Sequence, residues 1–542
     1  PLDFAAVTDH AEQLGEVHIC TTPGAPGHGS LVCRIQRRFP RFAFFLMNSR
    51  VTFLETRWGF CGPEGATCLA AAHTVWREIQ AAAEGAYDRS AACAFTSFVG
   101  YEWTAGAGRG KNLHRNVIFR GARVPELPTS FVEARSAWAL WNALEEECTA
   151  AGTGCDVLTI PHNSNLSGGL LFESARLRSE DDAGMPIDGE EAARRARWEP
   201  LVEIMQHKGD SECMLSGDTT DELCGFEKLP YDSFGAKFYS FLGREEPAPS
   251  NFVREALKEG LRIRRARGAD PFHYGIVAST DTHLATPGLA DERGYPGHGG
   301  AGAPAASRPP GGLPDDLEFN PGGLAVLWAE ENTREALFAA MRRREAYGTS
   351  GTRPTVRFFG AWELPEDLCA RDDLAAQGYA RGVPMGGDLP VPAASAAPRF
   401  VVDARRDPGA ATSPGTPLER VQIVKGWVDA AGASHERVVD VAGGDREAGV
   451  DPATCARHGE GHDRLCAVWT DPSFDPAQEA FYYARVVETP TCRWSQHLCV
   501  ARGVDCDDPS TVGPGLDACC APEHRPVIRE RAWTAPVGYL PP

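Results

Sequence analysis

The sequence lacks any long hydrophobic run and any excess of positive charge. No stretch approaches the roughly 20 apolar residues that span a bilayer, which argues against an integral membrane segment. The 74 acidic residues outnumber 54 lysines and arginines, giving a formal charge of −20. This sign disfavours nonspecific attraction to nucleic acid or to anionic membranes. With 542 residues, 42% of them hydrophobic, the chain is long enough for one large core and a smaller one.

Cysteine pairs of the zinc-ribbon type are also missing, because none of the 17 cysteines forms a Cys-x-x-Cys motif. Scattered cysteines indicate disulfides formed in an oxidising compartment, so we expect a periplasmic or secreted protein. The cysteines are densest between Cys455 and Cys520. Their odd total leaves at least one unpaired thiol, or a partner cysteine outside this sequence.

The chain begins without a start methionine or a signal peptide. Residues Pro1–His10 enter directly into an apolar strand pattern. We therefore expect the true N-terminus to lie upstream, and the missing export signal does not argue against export.

The first 360 residues alternate apolar β-type runs with helical patterns, which favours a parallel α/β architecture. The pair Asn332-Thr333 supplies a suitable N-cap for the last of these helices. The predicted strands are Phe4–Val7, Ala94–Tyr101, Asn116–Phe119, Val157–Ile160, Leu201–Met205, Tyr274–Ala278 and Leu324–Trp328. The predicted helices are Ala66–Ala83, Phe131–Ala151, Glu190–Arg197, Asn251–Arg267 and Thr333–Arg344. Seven strands are enough for a barrel-like closure.

Two segments rich in glycine, proline and alanine divide the chain. Residues 286–314 predict a long loop beside the candidate site, and residues 390–398 predict a linker. After the linker come β-type runs at Arg399–Ala404, Val421–Val428, Val438–Val441 and Ala480–Val487. We therefore predict an α/β domain over residues 1–389 and a small, cysteine-rich β domain over residues 390–542.

The end of a predicted strand carries Asp281 and His283, two positions apart. Residues i and i+2 of an extended segment point to the same face, so this carboxylate and imidazole could coordinate one cation together. Taken alone, the pair also fits a chance occurrence or a hydrogen-bonded His–Asp couple.

Polar side chains recur at other strand ends, where parallel α/β folds build their sites. The segments are Thr8–His10, Gly100–Thr104, Leu113–Asn116, Ile160–Asn163, Glu203–Lys208 and Ser211–Glu212. Each has a structural alternative: His10 as a strand cap, Glu102 as a solvated edge residue, His114 with Arg115 as a surface pair, and His162 as part of a turn. Recurrence favours a shared cavity instead. Imidazoles and carboxylates suit two or three divalent ions such as Zn, Mn or Fe.

These residues support a resemblance to a known superfamily. The order of Thr8-Asp-His10, Glu102, His114, His162 and Asp281-x-His283 resembles the polymerase and histidinol phosphatase (PHP) superfamily of metal-dependent phosphoesterases. Further motifs resemble a large bacterial branch whose members mostly carry only a domain-of-unknown-function label: Gln206–Glu212, Asn320–Leu324, Trp328–Arg334, Tyr347–Arg353, Val421–Trp427 and Phe481–Arg485. The resemblance spans nearly the whole chain. It implies a distorted seven-stranded, TIM-like barrel.

One motif of that superfamily is not in this sequence. Its first barrel strand ends in a metal-binding His-x-His pair, which should precede Thr8-Asp-His10, where only seven residues stand. We expect that strand to lie upstream of this sequence. The alternative is a truncated protein with an impaired site.

The resemblance assigns roles to individual residues. The implied metal ligands are His10, Glu102, His114, His162, Asp281 and His283, with Glu102 the best candidate to bridge two ions. Asp281 and His283, with Arg115 and Lys208, form the predicted catalytic set. Arg115, Lys208 and Arg353 could neutralise phosphoryl or sulfuryl oxygens, while Asn163 and His207 are possible polar substrate contacts. Arg353 fits a domain-interface ion pair equally well.

The leading hypothesis is hydrolysis of a small anionic ester, a phosphate or a sulfate, by a metal-activated hydroxide. Amide or cyclic-amide hydrolysis is the alternative within enzymes. A different class is a non-catalytic envelope protein that binds an anion or a carbohydrate. The sequence does not discriminate among natural substrates or oligomeric states.

Overall fold

All seven strands predicted in the first 330 residues are present. The computed structural model describes residues 2–107, 110–173, 186–215, 219–238, 246–300, 312–392, 396–410, 414–444 and 447–541. Helix accounts for 30% and strand for 24% of this mixed structure, so neither type dominates. Its strands up to residue 350 are β1 (Phe4–Ala6), β2 (Thr96–Phe98), β3 (Gly100–Trp103), β4 (Gly106–Ala107), β5 (Lys111–Asn112), β6 (Arg115–Phe119), β7 (Val157–Pro161), β8 (Leu201–Glu203), β9 (Met205–Gln206), β10 (Gly209–Asp210), β11 (Gly275–Val277), β12 (Leu324–Leu327) and β13 (Ala346–Thr349).

Every predicted helix is also present, and three unpredicted helices precede the first of them. The helices are α1 (Leu14–Thr21), α2 (Leu31–Arg38), α3 (Pro40–Ser49), α4 (Ala66–Ala86), α5 (Ala137–Leu144), α6 (Gly189–Trp198), α7 (Phe234–Phe238), α8 (Val253–Arg267), α9 (Arg334–Arg343), α10 (Leu374–Arg381) and α11 (Trp494–Ala501). The predicted N-cap is confirmed, since Thr333 Oγ1 accepts the Ala336 N–H at 3.3 Å. Helix α5 begins later than predicted, because Ser136 caps it through the Ala139 N–H. No helix of the described residues has the length and apolar character needed to cross a membrane.

Strand pairing in the first 300 residues is mixed. Strands β1 and β2 pair in parallel, as do β8 and β11, whereas β3, β6 and β7 form an antiparallel sheet. The parallel arrangement expected from the alternation therefore holds only in part. Hydrogen bonds close no barrel among the described residues, and the seven-stranded barrel stays a prediction.

The seven predicted strands nevertheless face a common interior cavity. Its apolar lining includes one side chain from each of β1, β2, β6, β7, β8, β11 and β12: Phe4, Phe98, Ile118, Ile160, Leu201, Val277 and Leu324. The carboxylates of Glu102, Glu203 and Asp281 line the same cavity. Polar residues that end these strands therefore converge in space.

The C-terminal region is rich in strands, as predicted. They are β14 (Thr355–Ala361), β15 (Val383–Pro384), β16 (Asp388–Leu389), β17 (Arg399–Arg405), β18 (Leu418–Val428), β19 (Ser434–Gly443), β20 (Gly449–Asp451), β21 (Ala456–His458), β22 (Arg464–Thr470), β23 (Glu479–Glu488), β24 (Thr491–Cys492), β25 (Val527–Ile528), β26 (Arg531–Thr534) and β27 (Val537–Tyr539). The largest sheet runs in the order β12-β13-β26-β23-β18-β19, so it contains strands from both sides of residue 389. The boundary at residue 389 stays a prediction, and residues 393–395 of the predicted linker lie outside the described residues.

Buried ion pairs also join the two regions. Glu212 accepts hydrogen bonds from Arg254 at 2.7 Å, from Arg485 at 2.9 Å and from the Trp533 indole at 2.7 Å. Arg485 also donates to Asp221 at 2.9 Å. The strand-end segment Ser211–Glu212 therefore holds the two regions together.

Sixteen of the 17 cysteines form eight disulfides, which confirms that most are structural bridges. The pairs are Cys20–Cys33, Cys61–Cys68, Cys148–Cys155, Cys213–Cys224, Cys369–Cys466, Cys455–Cys492, Cys499–Cys519 and Cys506–Cys520. Cys93 is the remaining free thiol. This density is typical of proteins that fold in an oxidising compartment.

Candidate metal centre

One carboxylate oxygen lies close to three imidazole rings. Glu102 Oε1 lies 2.9 Å from His114 Nδ1, 3.3 Å from His10 Nδ1 and 3.4 Å from His162 Nε2. Thr104 Oγ1 donates to the same oxygen at 3.1 Å. Glu102 itself is buried.

Strand pairing produces this arrangement. Glu102 in β3 lies opposite Asn116 in β6. His114 directly precedes β6, His162 directly follows β7, and the two are joined by a backbone hydrogen bond of 3.3 Å. His10 follows β1 and forms an isolated parallel bridge with Glu102. Neighbouring strand ends therefore bring together side chains that are far apart in the chain.

A second group surrounds Asp281. Its Oδ2 accepts a hydrogen bond from Gln206 Nε2 at 2.8 Å, pairs with the Lys208 ammonium, and lies 3.5 Å from His207 Nε2. One donor atom from each of His207, Asp281 and His283 falls within 4.8 Å of the others. The same holds for Glu102, His114 and His162.

The two groups meet through a pair of histidines. His10 Nε2 lies 3.2 Å from His283 Nε2, and the rings stack with centroids 5.4 Å apart. All six residues predicted as ligands therefore occupy one connected centre. Their role as ligands stays a prediction.

Two residues of this centre have a backbone conformation that is uncommon outside glycine. Asp281 has φ 48° and Asn163 has φ 57°, values in the left-handed region that favours glycine. The Asn163 N–H donates to Glu203 Oε1 at 3.1 Å, and its side chain donates to Asn165 Oδ1 at 2.6 Å. The surrounding hydrogen bonds hold these residues in costly conformations, as is common at functional sites.

The donor set suits divalent metal ions. His162 and His207 are buried, and their ring nitrogens make no short, well-aligned hydrogen bond among the described residues; the nearest carboxylate oxygens are Glu102 Oε1, 3.4 Å from His162 Nε2, and Asp281 Oδ2, 3.5 Å from His207 Nε2. Buried polar atoms of folded proteins are almost always satisfied, and coordination would satisfy these. Two other groups with ligand-type spacing, around Cys61 and around Cys213, contain disulfide sulfurs and are excluded as thiolate sites.

The pKa shifts of Glu102, His114 and His207 favour the protonation states that bind metals, whereas the pKa values of His10 and His162 are raised by the Glu102 carboxylate against the cost of burial. Burial disfavours the Glu102 carboxylate, but His10 and His162 outweigh it and lower the pKa of Glu102 well below its ordinary value. Burial lowers the pKa of His114 to about 4, and burial with the Lys208 charge lowers that of His207. Neutral imidazoles and ionised carboxylates are the states in which these side chains bind metals.

The pKa of His10 indicates the sign of the electrostatic potential at the centre. Burial opposes its charged form, but the Glu102 carboxylate prevails and raises the pKa of His10 to about 9. The negative potential that retains this proton would equally attract a cation.

Glu203 is a site residue to which sequence reasoning gave no role. It is buried, accepts from Ser279 Oγ, and lies 3.9 Å from His162 Nδ1. Burial raises the pKa of Glu203 to about 7. The signal available in the sequence was its position at the end of β8.

His298 was also missed. It stacks on His207 with centroids 4.4 Å apart and an interplanar angle of 11°, and its backbone oxygen accepts the His283 N–H at 2.7 Å. Asp315 Oδ2 contacts His298 Nδ1 at 2.6 Å and accepts from the Tyr295 hydroxyl at 2.6 Å. The predicted loop at residues 286–314 therefore reaches the centre; its residues 301–311 lie outside the described residues.

Two of the predicted substrate contacts, Arg115 and Arg353, hydrogen-bond to other groups of the protein. The Arg115 side chain is buried and donates to Glu199 Oε1 at 2.8 Å and to the Leu113 carbonyl at 2.5 Å. Arg115 is therefore paired with a buried carboxylate, and its role at an anionic ester stays a prediction. Arg353 is exposed, and its N–H donates to Asp407 Oδ2 at 3.1 Å, which places it outside the centre.

The fold and centre define a mixed α/β protein with a partly buried histidine- and carboxylate-rich site at converging strand ends. The chain belongs to the family described as "Protein of unknown function (DUF3604)", which matches residues 1–541. No curated protein and no solved structure matches it.

Proposed function

We propose that the protein is a divalent-metal-dependent hydrolase of small phosphate or sulfate esters, related to the PHP superfamily. The observation that carries this proposal is the linkage of the two ligand groups through His10 and His283, whose ring nitrogens are 3.2 Å apart. A site with more than one metal ion requires separate groups of ligands that lie next to each other.

In this proposal, His10, Glu102, His114 and His162 hold one ion, while Asp281 and His283 hold another, with His207 as a further donor within reach. Zn, Mn or Fe fits this set of nitrogen and oxygen donors, in two or three copies. Such ions supply a bound water whose pKa falls to about 7 and a positive charge for the leaving oxygen.

The protein's own side chains prepare the reaction. Gln206 and Lys208 hold Asp281 ionised and oriented. The buried Lys208 ammonium provides a positive charge for the ester's non-bridging oxygens. Glu203, whose pKa is about 7, could hold or release a proton beside His162 at neutral pH.

The proposed architecture is a distorted barrel over residues 1–389 followed by a β-rich region. Side chains from seven strands that line one cavity support the barrel, although no hydrogen-bonded ring closes it among the described residues. The eight disulfides support a periplasmic or secreted location.

The test is turnover of nitrophenyl phosphate and nitrophenyl sulfate by protein loaded with Zn, Mn or Fe. We expect activity that a chelator abolishes and that metal restores. Asp281→Ala should abolish it, whereas Asp372→Ala, which removes an exposed carboxylate, should not. Hydrolysis confined to amide or cyclic-amide substrates would move the proposal to that class. Bound metal without turnover of any ester would instead indicate a binding protein.

A further inference from the structure

Exposed phenylalanines are concentrated in one short part of the chain. Of the twelve large apolar side chains exposed among the described residues, six lie between residues 31 and 54. They are Leu31, Phe39, Phe42, Phe44, Phe45 and Leu54. We call residues 31–54 the Arg–Phe segment. Apolar side chains clustered in this way mark an interaction surface.

The same segment carries a local positive charge. It contains five arginines and no aspartate, glutamate or lysine, although the whole chain has a formal charge of −20. The arginines are Arg34, Arg37, Arg38, Arg41 and Arg50. Arg34, Arg38 and Arg41 are exposed beside the phenylalanines.

The segment is tied to the rest of the fold at its N-terminal end. It comprises α2 and α3, and the disulfide Cys20–Cys33 joins α2 to α1. Ala43 and Met47 are buried on the inner face of α3. Phe42 and Phe45 are therefore exposed on its outer face. The apolar face is therefore presented to solvent by the packing of its own helix.

We propose that the Arg–Phe segment binds the surface of an anionic phospholipid bilayer. Phenylalanine and leucine enter the boundary between headgroups and acyl chains, while arginines bind lipid phosphates. Acidic residues elsewhere oppose this weakly, because charges separated by more than about 8 Å are largely screened at physiological ionic strength.

A second copy of the chain is a poorer occupant. Twofold pairing places the same patch on both subunits, so the arginines of one copy would face those of the other. Such like-charge contact is unfavourable.

The experiment measures cosedimentation of the full chain with vesicles of phosphatidylcholine alone or mixed with phosphatidylglycerol. We expect binding only to the mixed vesicles, and weaker binding at about 1 M than at about 0.1 M salt. Arg34→Ser/Arg38→Ser/Arg41→Ser should lower partitioning by about two orders of magnitude, since each arginine near an anionic surface contributes about a factor of five. Phe42→Ser/Phe45→Ser should lower it while leaving the charge unchanged.

Matched controls separate local from general effects. Arg267→Ser/Arg502→Ser/Arg525→Ser removes three exposed charges elsewhere, and Leu215→Ser/Val391→Ser removes two exposed apolar side chains. Both should bind as the parent does, and circular dichroism should show every variant folded. Absence of binding to mixed vesicles would overturn the proposal, as would equal losses in the controls. Self-association that is lost in Phe42→Ser/Phe45→Ser, without vesicle binding, would assign the surface to copies of this chain.

Discussion

His10 and His283 are 273 positions apart in the chain, yet their Nε2 atoms lie 3.2 Å from each other. The contact joins the histidines around Glu102 to the group around Asp281. Neither group is local in sequence, so the centre exists only in the folded chain.

Glu102→Gln tests whether the shared carboxylate is a metal ligand. The amide keeps the shape but loses the charge, so we expect metal content to fall and ester turnover to drop by about three orders of magnitude, corresponding to several kcal/mol of transition-state stabilisation. Elemental analysis and steady-state kinetics measure the two effects. Glu363→Gln, at an exposed position, is the matched control. Full metal content in Glu102→Gln would contradict the ligand assignment.

Asp315→Ala tests the positioning of His298. The change releases both the imidazole and the Tyr295 hydroxyl, so we expect kcat/KM to fall about ten- to one-hundred-fold, the range seen when a partner that orients a site residue is lost. Comparison of kcat/KM with the thermal midpoint separates this effect from general destabilisation. Asp316→Ala alters the adjacent, more exposed carboxylate and should be nearly neutral. Equal kinetics in the two variants would remove His298 from the functional set.

Stability should decrease as pH rises, because two carboxyl groups are buried close together. Burial raises the pKa of Glu488 and of Glu530 from an ordinary 4.5 to about 8, and the Glu488 charge further disfavours ionisation of Glu530. The native state retains protons on these carboxyl groups that the unfolded chain releases. The stabilisation that comes from keeping them protonated is therefore complete below about pH 4.5 and is lost as the pH approaches 8. The loss should be on the order of a few kcal/mol.

Glu488→Gln isolates this effect. The neutral amide cannot ionise, so the variant should gain stability over the parent at pH 8 and differ little at pH 5. Chemical denaturation across that interval measures the free energy of unfolding. Glu363→Gln should leave the pH dependence unchanged, and an identical slope in Glu488→Gln and the parent would show that Glu488 ionises normally.

The ligand set could be predicted because its members follow strand ends that the apolar pattern reveals. Glu102, His114 and His162 are polar residues beside otherwise apolar runs, and antiparallel pairing of β3, β6 and β7 brings them together. The direction of that pairing was less predictable, since strand patterns alone do not specify their neighbours.

Other features of the site and fold depend on contacts between residues that no local sequence pattern predicts. Arg115 stands next to His114, but its partner Glu199 lies 84 positions away. His298 belongs to a glycine-rich loop without a periodic pattern, so only the folded chain reveals its stacking on His207. Helix α3 was not predicted because its exposed phenylalanines obscure the amphipathic pattern that identifies a surface helix.

The sheet that joins β13 to β26 also governs the order of assembly. Residue 347 of β13 pairs with residue 534 of β26. The hydrogen-bond ladder of β13, an interior strand, is therefore complete only once nearly the last residues of the chain are present. Pairings of such high contact order are slow to form and leave apolar surface open in the meantime. During vectorial synthesis, the open edge of β13 would therefore remain vulnerable to aggregation until β26 emerged, and any chain ending before β26 would keep that vulnerability.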